Sequence, residues 1–579
     1  MRPNCHLSVN NHGIAPITCI EMLSTSLDTL LRLGGGWVIA VVVLKFLYRG
    51  YIHRSRIRIL KAQGLPILPH SLLFGHLPIF AEFRKAHPLD VNVSVFHTWL
   101  FDNCSTYFPG YEYPPSVVYL DLWPVTESLA IVNSPEVVSQ FTLTNNLPKT
   151  GVFKKFIQPL TSCNDLLCTE GQVWRAWRST FNPGFSQRNL TAMLPEIIEE
   201  ATVFVDGLRD LAGKGGTWGP MFQLQKRTIN LTFDIICRAT LDMRLHEQSR
   251  KSDSRLKAAL IDQLRLMGIM PNVAQGRLVG RLPWHYASVI QNNRILRDIL
   301  YPQVLRKLGS NTHDVQRKTV IDLAIKSVKE AATGISHGAD TEFIDRLLAN
   351  LKIFLFAGHD TTASTICFMI KLLQDNPNCL EKLRAEHDDI LGLDVDKAAQ
   401  VLTSSPHLLN QLPYTLGVIK ETLRLYPLAS TVRESHPGFC VTAHDSPNTA
   451  TKYPMEGFGL WVSALGIQRH PRYWPNPNDF IPERWLVTDG PLHPITNTWI
   501  PFSLGPRNCI GMELALMELK LVLILTARTF DIEEAWDEWD RKCNGDASPA
   551  LTVNGQRLYQ TGIGIVHPKD GMPVHVKLR

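Results

Sequence analysis

Phe502-Ser503-Leu504-Gly505-Pro506-Arg507-Asn508-Cys509-Ile510-Gly511 packs several residue types that do chemistry into one short stretch. Gly505 and Gly511 suit a tight loop that lets the backbone come close to a flat group. Arg507, two residues before Cys509, offers a planar cation to a carboxylate. Apolar residues at Met512, Leu514, Ala515, Leu516 and Leu519 predict a helix that opens at Cys509. First-turn N–H groups would then point at the sulfur and favour thiolate. A thiolate under a haem iron pushes electron density toward bound dioxygen and helps break the O–O bond.

A second constellation, Ala357-Gly358-His359-Asp360-Thr361-Thr362, lies inside a long apolar helical pattern with Ile353, Leu355, Phe356, Ile366, Phe368 and Met369. Glycine and two threonines in mid-helix weaken the hydrogen-bond ladder, and a threonine hydroxyl can bond back to the carbonyl one turn earlier. A bulge or kink is expected there. Ala357 and Thr361, four apart, share a face and would border one cavity with a small side chain and a hydroxyl. Beside a haem, Thr361 would face dioxygen while Asp360 relays protons from solvent.

The first stretch fits the pattern Phe-x-x-Gly-x-Arg-x-Cys-x-Gly and the second Ala-Gly-x-Asp-Thr-Thr, and in both the chain resembles the cytochrome P-450 family. The resemblance runs from about residue 60 to the end. It implies a mainly α fold with small β-sheets, in which haem lies between a long central helix and the cysteine loop. It makes Cys509 the iron ligand and adds Phe502, Gly505, Arg507, Gly511, Ala357 and Gly358 to the cofactor's surroundings. Trp174 and Arg178 resemble the family's Trp-x-x-x-Arg helix, whose indole and guanidinium reach a propionate. Arg433, after Tyr426-Pro427, resembles another propionate ligand, one residue closer to Arg424 than the family spacing. Glu421 and Arg424, three apart on a helix, would pair on its surface for a few tenths of a kcal/mol. The resemblance instead implies a buried pair completed by Arg484, with a structural role.

The composition is that of a folded chain. Of 579 residues, 45% are hydrophobic and 19% charged, enough apolar material for a sizeable core. The eleven cysteines are scattered with no Cys-x-x-Cys, which fits a reducing compartment. Sequons at Asn92, Asn103, Asn189 and Asn230 read as chance matches. The net charge of +6 comes without basic runs interleaved with aromatics, so no nucleic acid partner is expected.

Organisation along the chain follows from apolar and charged runs. Residues 1–32 form a polar leader and 33–48 an apolar anchor, then 49–80 a basic and proline linker and 81–579 the catalytic region. Sixteen helical residues span roughly 24 Å, slightly under the ~30 Å hydrocarbon core. Lys45, Arg49, Arg54, Arg56, Arg58 and Lys61 follow with no acid before Glu82, which puts the C-terminal side in the cytoplasm. Helices are expected at 188–211, 256–267, 315–332, 341–374, 380–391 and 414–425, and strands at 117–119, 129–132 and 460–463.

No Gly-x-Gly-x-x-Gly fingerprint is present, so electrons must come from another protein. By resemblance the donor is an NADPH-cytochrome P-450 reductase, with cytochrome b5 as an accessory, at the endoplasmic reticulum membrane. The implied activity is insertion of one oxygen atom into an apolar small molecule. Phe-Asn-Pro-Gly-Phe at 181–185 and Leu-Tyr-Pro-Leu-Ala-Ser-Thr-Val-Arg at 425–433 resemble the filamentous-fungal branch that tailors secondary metabolites. Two alternatives stand beside it: a reductase-independent haem-thiolate isomerase or dehydratase, and a non-catalytic haem-binding membrane protein.

Overall fold

Apolar residues recurring at three- and four-residue spacing make helices the main elements of this chain. The computed structural model describes residues 17–268, 282–309, 318–331, 341–446, 449–544, 551–562 and 564–579. The chain divides into two units, Met1–Gly64 and Leu65–Arg579.

The first unit is built on one helix, Ile17–Ala62. It crosses both boundaries that the sequence suggested, at 32/33 and 48/49, without interruption. Residues 1–16 of the leader lie outside the described residues. Between Leu33 and Ala62 there is no proline; the run Gly34-Gly35-Gly36 and Gly50 weaken the helix without ending it, and basic residues after Tyr48 are good helix formers. Residues 37–49 are all exposed, including Trp37, Ile39, Val42, Leu44 and Leu47. The helix gives way at Gly64, whose φ of +81° suits glycine. Residues 65–70 carry no regular structure, so the non-helical part of the linker starts here.

In the second unit a 35-residue helix, Thr341–Asp375, forms the centre. It is long and apolar enough to cross a membrane, but 78% of its most apolar window is buried inside the protein. Such burial marks a core helix. Helix Leu224–Leu241 packs across it and is buried along most of its length. It carries three threonines, Thr228, Thr232 and Thr240. Two of them bond back one turn, Thr232 to the Thr228 carbonyl at 2.9 Å and Thr240 to that of Ile236 at 2.6 Å.

Most expected elements appear with ends shifted by a few residues, among them Pro413–Leu425, Val117–Leu120 and Gly459–Val462. The helix expected at 188–211 is two, Gln187–Ala192 and Leu194–Leu211, because Pro195 cannot continue the ladder across Met193. The helix expected at 315–332 is described over Val320–Ala331, and its remaining residues lie outside the described ones. The sheets are small. The largest runs Val117–Leu120, Leu129–Val132, Gly459–Val462, Val432–Glu434 in spatial order. Its last strand matters most for the site, because Arg433 forms an antiparallel bridge with Lys149.

Candidate active site

The cysteine loop closes on itself before any helix begins. The Cys509 N–H donates to the Phe502 carbonyl at 2.9 Å, and Asn508 N–H to that of Gly505 at 3.0 Å. Gly505 has φ +78°, and a Cβ there would lie 2.4 Å from the Thr142 carbonyl oxygen. Any side chain is thereby excluded. The helix expected to open at Cys509 opens at Met512, with Gly511 as its cap. Only the Gly511 N–H supports the sulfur. Burial pushes the Cys509 thiol up from its ordinary value, against the opposing pull of that N–H and of Arg178. The expected thiolate therefore needs a metal cation above it, since coordination deprotonates a thiol outright.

Cys509 lies deep among protein atoms yet keeps accessible surface. Ala357 has the same character: it is exposed in the middle of the central helix, between buried Phe356 and buried His359. Thr361, one turn on, is partly exposed, and its hydroxyl donates to the Ala357 carbonyl at 2.9 Å. The bulge expected here is absent. The segment stays α-helical from Thr341 to Asp375, with Thr365 also bonding back to the Thr361 carbonyl at 2.9 Å. Gly358 differs in role from the expectation. A Cβ on it would meet Ile236 at 2.8 Å, so its missing side chain serves the crossing of two helices. Asp360 is buried, with Oδ1 3.3 Å from His567 Nδ1.

A cluster of cations sits beside the loop. Arg507 lies over the Trp174 ring at 4.4 Å, donates to the Thr169 carbonyl at 3.1 Å and pairs with Glu170. Arg433 donates Nη1 to the Leu147 carbonyl at 2.9 Å. Four buried guanidinium nitrogens, Nε and Nη2 of Arg433 and Nε and Nη1 of Arg507, have no partner among the described residues. Lys149 completes the group, held to the Thr431 hydroxyl. Burial, then the neighbouring Arg433 and Arg507, bring its amine down to about 7. Burial, then Arg507, lower the Arg433 guanidinium to about 10. Among the described residues, Glu170 is the carboxylate that faces these three charges. Unpaired buried donors are costly, and a ligand with two carboxylates would satisfy them. Haem has two propionates, so the residues fit that group.

Arg178, expected at a propionate, is engaged elsewhere. Both its terminal nitrogens donate to Asn508, Nη1 to the carbonyl at 2.8 Å and Nη2 to Oδ1 at 2.9 Å. It ties helix Gly171–Phe181 to the cysteine loop. Glu170 and Lys149 were missed in the sequence because nothing local marks them; the Lys149–Arg433 bridge joins distant segments.

Glu421, Arg424 and Arg484 form a triad with no exposed side-chain surface, where a surface pair was the simpler expectation. Arg424 donates Nε and Nη2 to the two Glu421 oxygens at 2.9 and 2.8 Å, and Arg484 Nε reaches Oε1 at 3.1 Å. Trp485 adds its indole N–H at 3.2 Å. Edge contacts then run from Trp485 to Trp499 at 5.6 Å and from Trp499 to Phe502 at 5.8 Å, which connects the triad to the cysteine loop.

Comparison with known proteins agrees with this geometry. The family model "Cytochrome P450" matches residues 118–553. Cytochrome P450 monooxygenase polC of Polytolypa hystricis is 38% identical over 547 residues, covering 93% of this chain and 94% of that protein. Cytochrome P450 monooxygenase acrF of Aspergillus aculeatus is 31% identical over 479 residues, covering 79% and 93%. Cytochrome P450 4V2 of Homo sapiens is 26% identical over 545 residues, covering 90% and 89%. Among solved structures, the haem domain of cytochrome P450DA superposes with a TM-score of 0.66 at 18% identity, covering 89% of this chain and 98% of that one. With a cysteine loop, a central helix and a cation cluster in the places described, the chain belongs to the cytochrome P450 family.

Proposed function

We propose that this chain is a membrane-anchored monooxygenase that oxidises an apolar small molecule in fungal secondary metabolism, drawing electrons from an NADPH-dependent reductase. Family membership makes it a haem oxidoreductase of the monooxygenase type. The observation that carries the finer reading is the cation cluster beside the loop that presents Cys509. Cys509 would ligate the iron, while Arg433, Arg507 and Lys149 would take the propionates. When bound, haem supplies the reductive activation of dioxygen, one atom going to the substrate and the other to water. The remaining work falls to the protein. Ala357 leaves room on the face that Thr361 shares, the Thr361 hydroxyl holds a proton there, and Asp360 resupplies it.

The apolar, exposed residues 37–48 support an anchor, and the basic residues 49–61 support a cytoplasmic side beyond it. The proposed location is the endoplasmic reticulum membrane, with cytochrome b5 as an accessory donor. The test uses the full chain reconstituted with haem and reductase. Wild type is expected to give the red-shifted Soret band of a thiolate-ligated, reduced carbonyl form, and Cys509→Ala to lose it. Cells lacking the gene are expected to accumulate an unoxidised precursor, which the purified enzyme converts only with NADPH and reductase. A porphyrin held through a nitrogen donor, or conversion without NADPH, would overturn this reading.

A further inference from the structure

We propose that His567 is the positioning and relay residue behind Asp360, joining that buried carboxylate to solvent. The proposal rests on the monooxygenase reading, in which Asp360 passes protons to Thr361. Asp360 is only 10% exposed at its side chain, and its Oδ1 has no hydrogen-bond partner of ordinary geometry. His567 Nδ1 stands 3.3 Å from that oxygen, and the imidazole is 35% exposed. One ring thus touches both the carboxylate and water.

The ring is held there from three sides. Strand Gln560–Thr561 pairs antiparallel with His567–Pro568, and the Thr561 hydroxyl donates to the His567 carbonyl at 3.2 Å. Gly562, at φ +90°, lies against the ring: a Cβ there would sit 2.6 Å from His567 Cδ2. Glycine is required both for the backbone angle and for the space. The Asn92 amide fixes this turn by donating to the Gly562 carbonyl at 2.9 Å. From the crossing helix, Gln225 Nε2 lies 3.0 Å from His567 Nδ1 and 3.3 Å from the Ser364 hydroxyl.

Other titratable groups nearby do not compete for this role. His359 adjoins Asp360 in the chain but is fully enclosed, and burial keeps it neutral against the pull of Asp360. Its Nδ1 is spent on the Leu355 carbonyl. Lys257 acts on His359 from helix Arg255–Gly268 and is itself bound to Asp253 and Asn230. Lys569 and Asp570, just after His567, pair with each other. The step balances as one proton in and one out. In the neutral ring Nδ1 accepts from Gln225 Nε2; protonated from water, Nδ1 loses that donor and gives its proton to Asp360 after the carboxyl has released its own toward Thr361, and Gln225 then closes on Nδ1 again.

Three variants test this. In 15N-histidine-labelled protein, Asp360→Asn is expected to move the His567 Nδ1 resonance at fixed pH, because the carboxylate 3.3 Å from that nitrogen is lost. In holoenzyme with reductase and no added substrate, His567→Phe is expected to slow NADPH oxidation about tenfold and to raise the share of electrons recovered as peroxide. Millimolar imidazole is expected to restore the rate of His567→Ala. Unchanged rate and peroxide yield in His567→Phe with haem retained would overturn the relay, as would a His567→Ala defect that imidazole fails to relieve. If neither variant holds haem, an unmoved His567 Nδ1 resonance in Asp360→Asn overturns it. A wild type that consumes no dioxygen with NADPH and reductase brings down the monooxygenase reading itself, while the Nδ1 resonance still reports the pair.

Discussion

A buried amine with a pKa near neutrality is a sensor of the charge brought to it. Lys149 has come down to about 7 through burial and two guanidinium neighbours, from 10.5 in water. Between those values the unfolded chain holds a proton that the folded apoprotein has lost. Apoprotein stability therefore rises with pH from about 7 upward, by at most ~1.4 kcal/mol per unit from this group. Propionates reverse the balance by favouring the charged amine. On haem binding the proton taken up at Lys149 opposes the proton released as Cys509 is coordinated, so haem affinity of the wild-type apoprotein is expected to change little from pH 7 to 9. A Lys149→Met apoprotein titrated with haem at both pH values keeps only the cysteine's release and is expected to bind more tightly at pH 9 than at pH 7, by up to about tenfold per unit; an affinity as flat as wild type places the proton uptake elsewhere. At this scale Cys509, Thr361 and the Glu421–Arg424 pair could be singled out from loop and helical spacing, whereas Arg484, 63 residues from Glu421, came only with the family resemblance. Lys149 and His567 could not be singled out, since β-pairing and a glycine turn bring them to their partners from far along the chain.

Elements were legible where apolar spacing is regular and poorly legible where local rules conflict. The central helix reads from sequence almost to its ends, whereas 188–211 hid a break at Pro195, and the helix after Cys509 starts three residues later than its pattern suggests. Burial of the Glu421 triad could not follow from spacing alone, because the same Glu-x-x-Arg pattern serves equally on a surface. Burial decides its energetics. Glu421→Gln would leave Arg424 and Arg484 without a counter-charge in a site closed to water, at a cost of about 3–5 kcal/mol. The expected result is a lowered urea midpoint and faster haem loss, read from the Soret band; a midpoint within error of wild type would make the triad dispensable. Because Trp485 and Trp499 lead from Glu421 toward Phe502, the loss is expected to loosen the cysteine loop first.

On the scale of the molecule, the two units meet the chain's needs separately. Removal of residues 1–64 is expected to leave a protein that still binds haem and keeps the reduced carbonyl band, while the full chain stays with membranes after carbonate extraction. Full-length protein released by carbonate would argue against the proposed anchor. Helix Ile17–Ala62 carries its apolar stretch and its basic stretch on one continuous rod. Tyr48 to Ala62 rises roughly 21 Å at 1.5 Å per residue. Such a rod fixes direction as well as distance. One extra residue after Tyr48 would swing the arginines by about 100° relative to the apolar stretch, whereas seven would nearly restore their heading. Spacer length in this segment thus works as an angular setting, and a ladder of insertions would reveal a periodic response that a slack tether cannot give.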